Sequence, residues 1–310
     1  MDKPLGDILW VTVSTALVLL MQGGFLCLET GVTRNKNNIN VALKNLADLG
    51  VSLVVFWSIG FGVMFGASLG GWIGSTDFAV DLAGQGAWFA VFLMFQAMFC
   101  GTTVTIVSGA AAERLRFHSY IIIAILMAVL IYPVFGHWCW SALSSSNLLK
   151  EGILARNGFV DFAGSTVVHS LGGWVSLAAL LIIGPRLGRF GKDGKPVQIP
   201  GANLPLATLG VILLWLGWFG FNGGSTLALD QHIPGVLTNT IFAGAASLVA
   251  TLLLGWLIYR HIGVYMVING SLAGLVAITA AANAVTTPEA VVIGTIGGAS
   301  LWRPTICCSA

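Results

Sequence analysis

Apolar positions fall into long blocks along this chain, and polar residues are confined to the short stretches between them. A helix needs about 20 apolar residues to cross the hydrocarbon of a bilayer. On that measure the pattern predicts membrane helices over roughly Ile8–Leu28, Leu49–Leu69, Trp88–Ala112, Tyr120–Leu143, Phe162–Ile183, Pro205–Phe221, Thr240–Tyr259, Met266–Ala282 and Ala290–Leu301, the last two being short. The fold class is therefore all-α integral membrane. The one sizeable polar connection, Gly184–Asn203, reads as a loop from its Gly and Pro content.

Charge orients these spans. The first, third, fifth and seventh connections carry Arg34, Lys36 and Lys44; Arg114 and Arg116; Arg186, Arg189, Lys192 and Lys195; and Arg260, with Arg303 after the ninth span. The other side holds Lys3, Lys150 and Arg156. The excess of Lys and Arg marks its side as cytoplasmic, so the N-terminus lies outside, as do most acids (Asp2, Asp7, Asp77, Asp81, Glu151, Asp230 and Glu289).

Composition agrees. The chain is 56% hydrophobic and 8% charged, against about 25% charged in soluble domains. A net charge of +2 without a basic cluster gives no reason to expect nucleic acid. The five Cys show no metal-type spacing and no disulfide framework, and Cys27, Cys100 and Cys139 read as small core residues. No cofactor is implied. The N-terminus lacks the pattern of a cleavable signal. After Ser300 the sequence changes character, Pro304 breaks the helical pattern, and residues 301–310 read as an atypical tail of the kind a shifted reading frame produces.

Polar groups inside a membrane are costly and so are the first candidates for chemistry. His169 lies eight residues beyond Asp161, about 12 Å deeper along a helix. Its imidazole can hold or pass a proton or serve as a structural hydrogen-bonding group. Asp161 can cap the fifth helix or sit in water. Phe95 and Phe99, four apart, share one helix face. They, Trp138, Trp140, Trp218, Phe219 and Phe221 can equally pack or face lipid. Asn222-Gly-Gly-Ser225 puts helix-breaking glycines beside polar side chains, and a broken backbone at membrane depth must be buried or line a wet cavity. Glu29 reads as a surface carboxylate paired with Arg34 and Lys36, and Glu113 likewise with Arg114.

These residues, taken together, resemble the ammonium transporter, methylammonium permease and Rh family. Asp161-Phe-Ala-Gly-Ser165 with Val168-His169, Gly172-Gly173, Ser176-Leu177 and Gly184-Pro-Arg186 looks like its signature. Phe95-Gln-Ala-Met-Phe99, Gly109-Ala-Ala-Ala-Glu-Arg114 and Trp218-Phe-Gly-Phe-Asn-Gly-Gly-Ser225 also match in order, so the resemblance covers roughly residues 8–300. It implies an eleven-helix fold made of two inverted five-helix repeats and a final helix, assembled as a homotrimer with one pore per subunit. About nine of the eleven helices are present. Residues 1–300 would then be a membrane domain lacking helices ten and eleven, and with them the family's second pore histidine; His232 and His261 fall in loops.

By the same resemblance, Trp140, Ser225, Phe95, Phe99 and Asp161 would form an outer ammonium-binding site, with Phe99 and Phe221 as a gate. His169 and Trp218 would line the pore, with His169 relaying protons. Implied partners are ammonium or ammonia, membrane lipids and a cytoplasmic PII-type regulator. A transporter in the cell membrane is the first reading, and an ammonium-sensing module fused to a signalling domain is the alternative. No paired intramembrane carboxylates, metal-binding histidine pattern or Ser/His/Asp set points to an enzyme.

Overall fold

Each of the nine apolar blocks forms a helical run in a computed structural model that describes residues 3–143, 152–260 and 262–301. The first span is α1 (Leu5–Val32). The second is composite: α2 (Asn38–Val55), a π-helical turn (Phe56–Gly60) and α3 (Phe61–Phe65). A small antiparallel hairpin, β1 (Ser68–Leu69) and β2 (Ile73–Gly74), follows. The third span is α4 (Ala87–Ala111). The fourth joins α5 (Phe117–Leu126), a second π turn (Met127–Ile131) and α6 (Tyr132–Trp140).

One turn of helix, α7 (Ile153–Arg156), sits in the next connection. The fifth span opens with a third π turn (Ser165–Ser170) and continues as α8 (Leu171–Ile183). α9 (Leu204–Gly224), α10 (Ile233–Tyr259), α11 (Val264–Thr279) and α12 (Thr287–Ser300) complete the bundle. The first seven runs are long and apolar enough to cross a membrane, and α11 is a shorter apolar helix. Lys150, Glu151, His261, Arg303, Pro304, Cys307, Cys308 and the tail beyond Leu301 lie outside the described residues.

α4 is the most enclosed of the long helices. Two of its hydroxyls are satisfied within the helix, Thr102 and Thr103 donating to the carbonyls of Met98 and Phe99, while Ser108 donates to Glu29 of α1. This lets polar side chains sit where no water reaches them. α1 and α9, the first and sixth spans, pack through small residues. A Cβ on Gly220 would lie 2.4 Å from the Ser14 carbonyl, and one on Gly210 would lie 2.5 Å from that of Gly24. Only glycine permits that approach, the usual basis of close helix pairing in lipid.

Three sequence expectations change. The second span begins at Asn38, eleven residues before the expected Leu49. Lys44, Asn45 and Asp48 look like loop residues, but they are buried on the inner face of α2. Asn222-Gly-Gly-Ser225 does not break a helix at depth, because α9 runs unbroken to Gly224. Those glycines instead make room for neighbours: a Cβ on Gly224 would stand 2.5 Å from Ser14 Cβ. Glu29 is not on the surface. It is 5% exposed and bonded to Asn45 and Ser108.

Candidate functional site

The face of α4 that carries Phe95 and Phe99 sets their rings 4.7 Å apart. Phe99 stacks on Phe221 of α9, with centroids at 4.1 Å and planes 17° apart. Trp140, the last residue of α6, meets Phe99 edge-on at 6.1 Å. Beside this group opens a cavity of about 320 Å³, bordered by Phe95, Phe99, Trp140, Asp161, Phe162 and Ser225. Phe221 does not border it and lies beneath Phe99, fully buried.

Asp161 holds the start of the fifth span. Its Oδ1 accepts from the amides of Gly164 (2.9 Å) and Ser165 (3.1 Å), and its Oδ2 from those of Thr166 (2.8 Å) and Val167 (2.9 Å). The first amides of a helix have no partner within it, and here one carboxylate serves four of them. Gly164, at φ +109°, makes this possible: a Cβ there would meet Val168 at 2.8 Å and Trp140 at 3.1 Å. The indole N–H of Trp140 donates to the Asp161 carbonyl at 2.7 Å, tying the fourth span to the fifth.

The π turn positions His169, whose amide bonds to the Gly164 carbonyl five residues back. Its ring stacks on Trp218 at 5.1 Å and 17° and lies 5.3 Å from Phe221. Trp218 is fixed by a bond from its Nε1–H to Thr279 Oγ1 at 2.8 Å. His169 Nε2 is buried without a hydrogen-bond partner. A column of rings thus runs from Trp140 through Phe99 and Phe221 to His169 and Trp218. Ser225 sits at the cavity end, its hydroxyl donating to the Phe221 carbonyl at 2.8 Å.

The eight residues that the family resemblance assigned to the binding site, gate and pore come together in this column and its cavity. Sequence reasoning missed Thr279, which carried no signal beyond a hydroxyl in an apolar block. It also missed Gln96, a polar side chain in mid-span whose Oε1 is buried and unpartnered beside the cavity. His137 lies elsewhere, buried between Met64 O and Ser68 Oγ, each at 2.8 Å. His232 is exposed, 3.4 Å from Asp230.

At the opposite end, Glu113 gathers three connections. It accepts from Arg34 (2.8 Å), Asn37 (2.7 Å) and Arg186 (3.0 Å). Burial alone would raise its carboxyl, but these donors outweigh it and hold the group at about 2, below the ordinary 4.5. Its expected partner, Arg114, instead donates to the Gly184 and Ala110 carbonyls. A second cavity, of about 380 Å³, opens at this end, with Glu29, Arg114, Arg186, Tyr265 and Asn269 among its lining.

Residues 9–303 match the model of the Ammonium Transporter Family. The chain belongs to the ammonium transporter family. It is 53% identical over 295 residues to a putative ammonium transporter of Synechocystis, covering 94% of this chain and 54% of that protein. It is 42% identical over 300 residues to the ammonium transporter Amt2 of Archaeoglobus fulgidus, covering 94% and 63%. Against these two curated relatives the chain spans between half and two thirds of their length. Among solved structures it matches a Sensor Amt Protein at a TM-score of 0.92 and 44% identity, covering 95% of this chain and 73% of that one. Mep2 of Candida albicans matches at 0.86 and 26%, covering 96% and 65%. As a member of the ammonium transporter family with seven spans of crossing length among its described residues, the chain is a multi-pass membrane protein.

Proposed function

We propose that this protein carries ammonium nitrogen across the membrane: it recruits ammonium in the outer aromatic cavity, removes a proton and passes ammonia beside His169. The observation that carries this reading is the unbroken ring column from the cavity, through the Phe99–Phe221 stack, to His169 and Trp218. Cation–π contact supplies about 0.5–2 kcal/mol per ring. An isolated ion in a dry interior costs tens of kcal/mol by Born estimates. Aromatic rings can therefore gather ammonium at the mouth but cannot carry the ion through the stack, and shedding the proton is the less costly route.

Trp140, Phe95, Phe99 and Ser225 are the binding groups, and Phe99 and Phe221 form the gate. Asp161 holds the local backbone and contributes its charge. His169 holds the proton, which crosses separately and makes transport electrogenic. In liposomes, the protein should give an ammonium-evoked current that His169→Ala abolishes. Undiminished current with unchanged selectivity in that variant would overturn the relay.

The likeness to the Sensor Amt Protein favours a second reading, in which the same cavity senses ammonium. Ammonium quenching of Trp140 fluorescence without measurable flux would select it. A homotrimer is proposed for the assembled protein, checked by native mass spectrometry. A PII-type partner is proposed at the end carrying Arg34 and Arg186, checked by pull-down with and without ADP.

A further inference from the structure

We infer that Glu29 is the proton-exchanging group at the cytoplasmic end of the conduction path, returning a proton to ammonia as it leaves. The inference rests on the proposed transport reading and adds a residue to it. Glu29 borders the inner cavity of about 380 Å³. Its Oε2 is held by two neutral donors, Asn45 Nδ2 and Ser108 Oγ, both at 2.9 Å. Oε1 takes neither bond and lies 3.1 Å from where a Cβ on Gly109, another cavity-lining residue, would stand. No ion pair reaches Glu29 among the described residues.

The charged groups around it have other partners. Lys44 Nζ donates to the Leu115 carbonyl at 2.7 Å. Asp48 is bonded to Tyr120 and Thr105. Arg186 is paired with Glu113, and Arg114 is bonded to main-chain carbonyls. A buried carboxyl anchored on one oxygen by neutral donors, with the other turned to a cavity, suits a group that gains and loses a proton in place.

In the step, the ammonia lone pair takes the Glu29 proton. An N–H bond forms, the O–H bond breaks, ammonium enters the cavity, and the carboxylate left behind is stabilised by Asn45 and Ser108. The proton handed on from the His169 relay restores the acid. Arg114 and Arg186 on the cavity wall discourage ammonium from lingering.

Glu29→Gln keeps an acceptor for Asn45 and Ser108 and removes the exchangeable proton. Infrared difference spectra on adding ammonium to the reconstituted protein should show a carboxyl band that responds to ammonium and is absent in Glu29→Gln. The variant's ammonium-evoked current should fall at least roughly 10-fold, and Glu29→Asp should recover part of it. A Glu29 band that ignores ammonium, or a Glu29→Gln current equal to the parent's, would overturn the inference. Trp140 fluorescence separates the two failures. If it responds while Glu29 is silent, only this inference falls. If it too is silent, the outer site falls with it.

Discussion

The two ends of the helix bundle handle charge in opposite ways. At the outer end the one carboxylate lining the cavity, Asp161, is met by backbone amides, and the rings of Phe95, Phe99, Trp140, Phe159 and Phe162 share the lining with aliphatic side chains, Gln96 and Ser225. At the inner end Glu113 is met by guanidinium groups: it binds Arg34 and Arg186 and so joins the first, third and fifth connections. Amide dipoles satisfy a carboxylate without cancelling its charge, so the outer end keeps a negative field beside open aromatic faces. At the inner end the charge of Glu113 is neutralised in holding loops together.

That contrast can be tested most severely at Asp161. Asp161→Ala orphans four amides, those of Gly164 and Val167 buried and those of Ser165 and Thr166 part-buried, each costing up to about 1–3 kcal/mol when left unpaired. Even with relaxation, a loss of roughly 3–5 kcal/mol is expected, read as a collapse in melting temperature in detergent. Asp161→Asn should fall between Ala and the parent.

Glu113→Gln comes next. It removes the charge that Arg34 and Arg186 share, and because those arginines are partly exposed the expected cost is about 1–3 kcal/mol. The sign with pH is fixed. The carboxyl sits at about 2 in the folded chain against an ordinary 4.5, so its contribution is present above 4.5 and lost as pH falls from 4.5 towards 2. Denaturant midpoints measured across that window should drop more steeply in the parent than in Glu113→Gln.

A third change acts on packing rather than charge. Gly224→Ala would force a methyl against Ser14 and the Phe95 ring, costing about 1–3 kcal/mol by overpacking and lowering the melting temperature. The smallest effect should come from Ser225→Ala, which loses one hydroxyl bond to the Phe221 carbonyl. Stability should change by less than about 1 kcal/mol, while the ammonium concentration that half-quenches Trp140 fluorescence rises several-fold.

Much of the fold could be read from hydropathy because lipid demands long apolar runs. The same criterion failed where polar residues point inward. Lys44, Asn45 and Asp48 lower the local hydropathy and hid the first third of the second span. Glu29, with Arg34 and Lys36 close in sequence, looked like a surface carboxylate until α2 and α4 were seen to close over it. The ring column was half visible, since the four-residue spacing of Phe95 and Phe99 shows that they share a face. Nothing in the spacing shows that Phe221 or Trp218, more than a hundred residues later, would lie against that face or against His169. Their grouping came from the motif resemblance. The π turns left no trace, because one extra residue per turn leaves hydropathy unchanged.

The π turn at Ser165–Ser170 also sets how the fifth span could tolerate a change in length. Deleting one residue within it would allow an ordinary α-helix, a more regular backbone with no net loss of apolar character. The π turn already absorbs one residue more than an α turn, so removing that residue would leave Asp161 and α8 close to their present bearing. Deleting a residue from the regular α8 instead would swing everything below it by about 100°. In this turn the loss of a residue is a local event, whereas in α8 it acts as a rotation of half a span.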